Sequence, residues 1–203
     1  MRAITLDTMT IQAAADGSSL GNPGPAGWAW YVSEECWDAG GWPVGTNNIG
    51  ELTAVLELLL ATEASGLAGE ELHVLTDSQY TINVITKWMA GWKQKGWRKA
   101  DKKPIKNLEL IQAIDRAIQG RAVRFTWVKG HAGHTMNEIV DERARACALA
   151  YQRHQPIPSG PGFRGSSTVV TTPRPASAQE SQPEARAEDK PAEDLFSMLE
   201  GWE

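Results

Sequence analysis

Four acidic residues, Asp16, Glu51, Asp77 and Asp141, sit where the pattern of the chain changes. Asp16 closes an apolar run just before Gly17. Glu51 opens an amphipathic stretch, Asp77 closes the run Leu72 to Thr76, and Asp141 lies in an Ala-, Arg- and Glu-rich stretch. Acids at strand ends and helix starts can converge, because the ends of neighbouring elements share one edge of a sheet. Converged carboxylates repel one another, and several cannot stay ionised together without compensation. A divalent cation compensates and brings chemistry with it. Mg²⁺ takes oxygen ligands, keeps waters and shares itself with substrate phosphate. Two such ions roughly 3.5–4 Å apart stabilise both the attacking and the leaving oxygen of a phosphodiester. Each acid taken singly has a plainer use. An Asp before Gly is commonly a turn residue, and an acid in a first helical turn serves the helix dipole. Spacing by itself leaves both uses open.

The elements that must position these acids are legible in part. Thr10 to Ala15 reads as a short strand ending at Asp16. Ala26 to Val32 and Cys36 to Val44 read as a hairpin, with Trp28, Trp30 and Trp37 as aromatic strand formers. Leu52, Val55, Leu56 and Leu59 fall on one helix face. Leu72 to Thr76 predicts a buried strand, and Ser78 can cap the helix that follows. Leu108, Ile111, Ile114 and Ile118 mark another helix. Val123, Phe125 and Trp127 alternate as a strand, and Asn137 to Tyr151 predicts a last helix. The order is three strands, helix, strand, helices, strand, helix. It predicts an α/β fold, a mixed sheet with helices packed on its faces.

Charge is unevenly spread over the 203 residues. The formal net charge of -5 argues weakly against a nucleic-acid partner, yet Lys87 to Lys106 carries eight Lys/Arg and one acid. From His154 onward there are four bases and eight acids. The average hides a basic patch and an acidic tail. No apolar run is long enough to cross a membrane. Met1 to Thr10 lacks the pattern of a secretory signal, so the expected location is the cytoplasm. Cys36 and Cys147 form no CxxC pair and are expected as reduced thiols. His131 and His134 lack a second ligand pair at a distance suited to zinc.

The residues around the four acids carry a more specific signal. Asp16-Gly-Ser-Ser-Leu-Gly-Asn-Pro-Gly-Pro25 closely resembles the first signature of bacterial type 1 ribonuclease H. Thr46-Asn47-Asn48 with Glu51-Leu52 is similar to the second, and Thr76-Asp77-Ser78-Gln79-Tyr80 to the third. Trp127-Val-Lys-Gly-His131-Ala-Gly-His134, then Asn137 and Asp141, is similar to the fourth. Four signatures in order over about residues 10–150 are far more specific than one short motif. The resemblance implies a five-stranded mixed sheet with helices on both faces. It implies cleavage of the RNA strand of an RNA–DNA hybrid by two-metal chemistry, leaving 5′-phosphate and 3′-hydroxyl ends. Asp16, Glu51, Asp77 and Asp141 match the family's metal-binding carboxylates, with Mg²⁺ the expected ion and Mn²⁺ a substitute. His131 matches a mobile histidine that handles protons, on a loop freed by Gly130 and Gly133; His134 is expected to be structural.

The resemblance extends to the substrate. Asn47 and Gln79 match residues that reach the 2′-hydroxyl across the minor groove, the atom that tells RNA from DNA. Asn22 and Thr46 match contacts to sugar or phosphate. The stretch from Trp88 to Lys106 resembles the family's basic protrusion, so Trp88, Lys93, Lys95, Trp97, Arg98 and Lys99 are expected at the hybrid, the bases acting on phosphate without reading sequence. Trp88 and Trp92, at helix spacing, are expected to be mostly structural. One departure stands beside the site. Gly50 occupies a position where the family commonly has a larger residue, often methionine. Glycine costs helix stability, so Glu51 is expected to be less rigidly held. Integrases, transposases and junction resolvases share such acidic sites, but do not need these groove readers or this protrusion. A hybrid-binding module without catalysis would lack one of the acids.

The expected organisation is a catalytic domain over residues 1–153, a disordered Pro/Ser/Ala/Glu-rich linker over 154–191 and a short acidic-hydrophobic peptide over 192–203. Seven of the eleven prolines lie beyond His154, a composition too poor in apolar residues to offset the entropy of ordering. Residues 1–9 read as extra sequence, with Met9 an alternative start. The tail is expected to be an acidic, solubilising extension. Asp194-Leu195-Phe196 weakly resembles peptides that bind the bacterial sliding clamp, without the glutamine usual at their start. A monomer is expected.

Overall fold

The computed structural model describes residues 9–101 and 103–163. The expected peptide at 192–203 and most of the expected linker lie outside them. Three strands form an antiparallel meander: β1 (Thr10–Ser19), β2 (Gly24–Ser33) and β3 (Cys36–Gly45). Helix α1 (Asn47–Ala64) returns the chain to β4 (Glu71–Thr76), which lies parallel to β1. Next come α2 (Gln79–Asn83), a π-helical turn (Val84–Trp88), α3 (Met89–Gln94) and α4 (Leu108–Ala117). β5 (Val123–Trp127) joins parallel to β4, and α5 (Thr135–Gln152) follows. The sheet order is β3-β2-β1-β4-β5, the expected five-stranded mixed sheet.

Side chains alternate across the central strand, as a pleat requires. Ile11, Ala13 and Ala15 enter the larger core with Leu52, Val55, Leu58 and Leu59 of α1 and Ile111 and Ile114 of α4. Ala14 enters a second core with Val140, Ala144 and Cys147 of α5. Asp16 is two residues beyond Ala14 and shares its face. Three strand residues beneath α5 are small, Ala14, Ala29 and Ala39, beside the larger Tyr31 and Leu75. Gly27 completes this surface, since a Cβ there would come within 2.1 Å of the Ala144 carbonyl oxygen. Helix α5 therefore rests directly on the sheet and carries Asp141 in close to β1.

Three expectations change. Asp16 does not end β1; it pairs opposite Ala29, and the strand continues through Ser18 and Ser19 opposite Gly27 and Ala26. Backbone pairing with β2 carries the polar end that the apolar pattern leaves out. Glu51 does not occupy the first turn of α1. The helix starts at Asn47, capped by Thr46, whose Oγ1 accepts from the Ile49 N–H at 3.3 Å.

The third change is the start of the linker. Residues 155–163 run as a strap along edge strand β3. Gly160 N–H donates to Asp38 Oδ1 at 2.8 Å, Gly162 bridges to Trp37, and Ile157 joins the core beneath α5. The strap ends at the far end of α1, where Ser65 Oγ donates to the Phe163 carbonyl at 2.8 Å and the Phe163 ring lies 6.0 Å from that of Trp30. Proline and glycine here shape a docked extended segment, held by backbone bonds and two apolar anchors.

Candidate active site

Strands β1 and β4 run in parallel, so their C-terminal ends share one sheet edge. Asp16 lies near the end of β1 and Asp77 directly follows β4. The start of α1 brings Glu51 to the same edge. The approach is close: a Cβ on Gly50 would meet the Gly27 carbonyl oxygen at 2.6 Å and Gly17 Cα at 3.0 Å. Helix α5 brings Asp141 from the opposite face.

Asp16 is 4% exposed. Burial, then the negative charges of Asp77, Glu51 and Asp141, push its carboxyl up to about 8; the Gly17 N–H, donating to Oδ1 at 2.7 Å, acts the other way. All four expected acids are thus near enough to act on one proton. Glu51, 8% exposed, is also pushed up, first by burial and further by Asp77. Donors to its carboxylate oppose this. Asn47 Nδ2 donates to Oε1 at 2.7 Å, Ser78 Oγ makes a short bond to Oε2, and Thr81 Oγ1 stands 3.4 Å from Oε2. The expectation of a loosely held Glu51 is corrected. Gly50 is what lets α1 reach the sheet, and three side chains from two elements then fix the carboxylate.

Asp77 is held from two sides. Its Oδ2 accepts from Asn137 Nδ2 of α5 at 3.2 Å, and its carbonyl accepts from Trp127 Nε1 of β5 at 3.0 Å. Asn137 is buried and Trp127 half exposed. Both belong to the quoted signatures, but their roles as supports for Asp77 depend on contacts between elements. Thr81 carries no motif signal; its three-residue offset from the capping Ser78 is the only local hint. His131 is 81% exposed, with backbone φ of 51°, and its Nδ1 is 3.8 Å from Asp141 Oδ2. His134 is the N-cap residue of α5, and its Nδ1 is buried.

Among the described residues, no three His, Cys, Asp or Glu side chains already close on a metal ion. A Mg²⁺ site of this kind does not require that, because the ion keeps waters and takes substrate oxygens. The donors fit such an ion: they are carboxylates only, and among the described residues no cation pairs with the buried Asp16.

The expected substrate residues fall on the surrounding surface. Asn22 is exposed in the β1–β2 turn, Asn47 is exposed at the start of α1, and Gln79 is exposed as the first residue of α2. A row of rings leads from α2 into the basic stretch: Tyr80 to Trp88 at 6.2 Å and Trp88 to Trp92 at 5.8 Å between centroids. Trp92 and Trp97 also pack against the larger core. Lys93, expected at the hybrid, is exposed, and its Nζ pairs with Asp115 of α4 at 2.7 Å. Lys95 and Arg98 are exposed and Lys99 half-buried; among the described residues no ion pair engages them.

Among the described residues, no helix is long and apolar enough to cross a membrane. The RNase H family model matches residues 9–148. A ribonuclease H of Tropheryma whipplei (strain Twist) is 51% identical over 153 residues, covering 75% of this chain and 93% of that protein. One from Pectobacterium carotovorum subsp. carotovorum is 46% identical over 145 residues, covering 69% and 90%. The crystal structure of a type 1 RNase H with the type 2 active-site motif superposes with a TM-score of 0.63 at 29% identity, covering 78% of each chain. The match spans the sheet, the helices and all four carboxylates, and the chain belongs to the ribonuclease H family in its bacterial form.

Proposed function

We propose that this protein is an endonuclease that hydrolyses the RNA strand of RNA–DNA hybrids by two-metal-ion catalysis, leaving 5′-phosphate and 3′-hydroxyl ends. The observation that carries the reading is the state of Asp16. Its carboxyl is buried among three other acids and pushed up to about 8, an arrangement that a divalent cation relieves. Asp16, Glu51, Asp77 and Asp141 would hold the ions. Bound by these carboxylates, Mg²⁺ or Mn²⁺ would supply activation of a water and stabilisation of the departing oxygen.

The chain's own residues supply the rest. His131, 81% exposed with its Nδ1 3.8 Å from Asp141 Oδ2, takes up and releases protons in this reading. Asn47 retains a second amide N–H and its carbonyl oxygen beyond the bond to Glu51, so it can read a 2′-hydroxyl. Gln79 does the same from α2, while Asn22 and Thr46 contact the backbone. Lys95, Arg98 and Lys99, with Trp88 and Trp97, engage the DNA strand, and the positive charge acts on phosphates irrespective of sequence. The protein works as a cytoplasmic monomer in this reading.

The test is cleavage of a labelled RNA–DNA hybrid with Mg²⁺, beside RNA–RNA and DNA–DNA duplexes and the Asp77→Asn variant. Hybrid-only cutting, lost with chelator and in the variant, is the expected result. A folded protein that cuts nothing across Mg²⁺ and Mn²⁺ would sink the reading.

A further inference from the structure

Hydroxyls on the helices of this protein commonly bond their own backbone. Thr62 Oγ1 donates to the Leu58 and Leu59 carbonyls, each at 2.9 Å. Ser65 Oγ shares its proton between Ala61 O at 2.9 Å and Phe163 O, and Thr86 Oγ1 donates to Ile82 O at 2.7 Å. This back-bonding is the local default for Ser and Thr in helices. Thr81 departs from it. The carbonyl four residues before it belongs to Asp77 and accepts the Trp127 indole instead. Thr81 Oγ1 lies 3.1 Å from Ser78 Oγ and 3.4 Å from Glu51 Oε2, and the residue is fully buried.

We propose that Thr81 is a positioning residue for Glu51, acting with Ser78 as a two-hydroxyl relay that fixes how this carboxylate is presented to a divalent cation. Ser78 has one proton, and its short bond to Glu51 Oε2 uses it. Ser78 Oγ is then an acceptor, and the Thr81 N–H reaches it at 3.1 Å. The Thr81 hydroxyl proton has two acceptors within reach, Ser78 Oγ and Glu51 Oε2. Donation to Ser78 polarises the Ser78–Glu51 bond, and donation to Glu51 holds the carboxylate directly. With Asn47 on Oε1, both oxygens of Glu51 have a set direction. The relay joins α2 to α1, so the carboxylate of one helix is aimed by hydroxyls of another.

The proposal rests on Glu51 being a metal ligand, and its test separates the two ideas. Thr81→Ser and Thr81→Ala both lose the methyl group and differ only in the hydroxyl. Each is titrated with Mg²⁺ alone, followed by backbone NMR of the metal-free protein, and assayed for hybrid cleavage across Mg²⁺ concentration. Thr81→Ala is expected to weaken Mg²⁺ binding roughly tenfold, as lost support of a ligand does. Its half-maximal Mg²⁺ concentration for cleavage should rise by the same factor, with KM for the hybrid unchanged. Thr81→Ser is expected to restore the wild-type Mg²⁺ dependence. Equal Mg²⁺ affinity in all three proteins, or equal losses in both variants, would overturn the relay. A wild-type protein that neither binds Mg²⁺ nor cuts the hybrid would instead overturn the functional reading beneath it.

Discussion

Asn137 of α5 donates its side-chain amide to Asp77 Oδ2 across 3.2 Å, joining the last helix to the end of a central strand. The bond leaves Asn137 Oδ1 buried and without a hydrogen-bond partner, so the side chain has one orientation that serves Asp77. Asn137→Ala frees the carboxylate to rotate. We expect kcat for hybrid cleavage to fall by roughly ten- to a hundredfold, the usual effect of removing a ligand's support, with the circular dichroism spectrum unchanged. Wild-type kcat in a folded Asn137→Ala protein would show that Trp127 and the strand end suffice.

The buried acids make stability depend on pH when metal is absent. Folding raises the Asp16 pKa from 3.8 to about 8, so the folded state keeps a proton that the unfolded chain releases. The stability from that proton is complete below pH 3.8 and is lost as pH rises through about 8. Asp16→Asn imitates the protonated form at every pH. In chelator, the variant should gain on wild type as pH rises from 5 to 8.5, by on the order of 4 kcal/mol, measured by thermal denaturation. Saturating Mg²⁺ should shrink the gap. A gap that stays constant with pH would contradict the prediction.

Gly50 inverts the ordinary helix preference. Alanine is the better helix former by about 1 kcal/mol, yet a Cβ at Gly50 would lie 2.6 Å from the Gly27 carbonyl oxygen. Gly50→Ala should therefore destabilise by roughly 1–3 kcal/mol in urea unfolding, the cost of overpacking. It should also weaken Mg²⁺ binding, because α1 must retreat from β1. A more stable Gly50→Ala protein would mean that the helix shifts freely.

The basic stretch divides into an anchored and a free part. Lys95→Ala and Arg98→Ala should each raise KM for the hybrid and reduce the salt dependence of binding by about one charge. Lys93→Ala removes the bond to Asp115 and should cost less than about 1 kcal/mol of stability, as exposed ion pairs do. Fluorescence anisotropy over a salt series measures the slopes. Equal salt slopes for wild type and Lys95→Ala would remove Lys95 from the phosphate contacts.

Most of the fold was legible because hydrophobic period changes with element type. β5 and α4 follow the alternation of Val123, Phe125 and Trp127 and the face through Leu108, Ile111 and Ile114. The four acids were legible through their signatures, whereas Asp16 lies inside β1 and Asp141 inside α5 and neither marks an element end. What was hidden depends on contacts between elements. Gly50 read as a weakness because local propensity knows nothing of Gly17 and Gly27 across the gap. Thr81 was silent because its partner lies thirty residues away in α1. The strap has the composition of a disordered segment, while its docking uses backbone groups and the widely spaced Ile157 and Phe163.

Removing the strap tests that docking. A chain ending at Arg153 should be less stable than one ending at Phe163 by roughly 2–4 kcal/mol, from lost burial of the Phe163 ring and the bonds to Asp38 and Ser65. Calorimetry of the two chains reads the difference; identical melting temperatures would make the strap an ornament of the surface.

The place where the strap ends has a practical meaning. Phe163 is bonded to Ser65 at the end of α1, and Glu51 lies fourteen residues back along that helix, about 20 Å away at 1.5 Å per residue. The carboxylates gather near the start of α1 and the strap is moored at its end. A dye or surface tether attached near the C-terminal end of α1 would sit far from the carboxylates and leave them free to meet a hybrid.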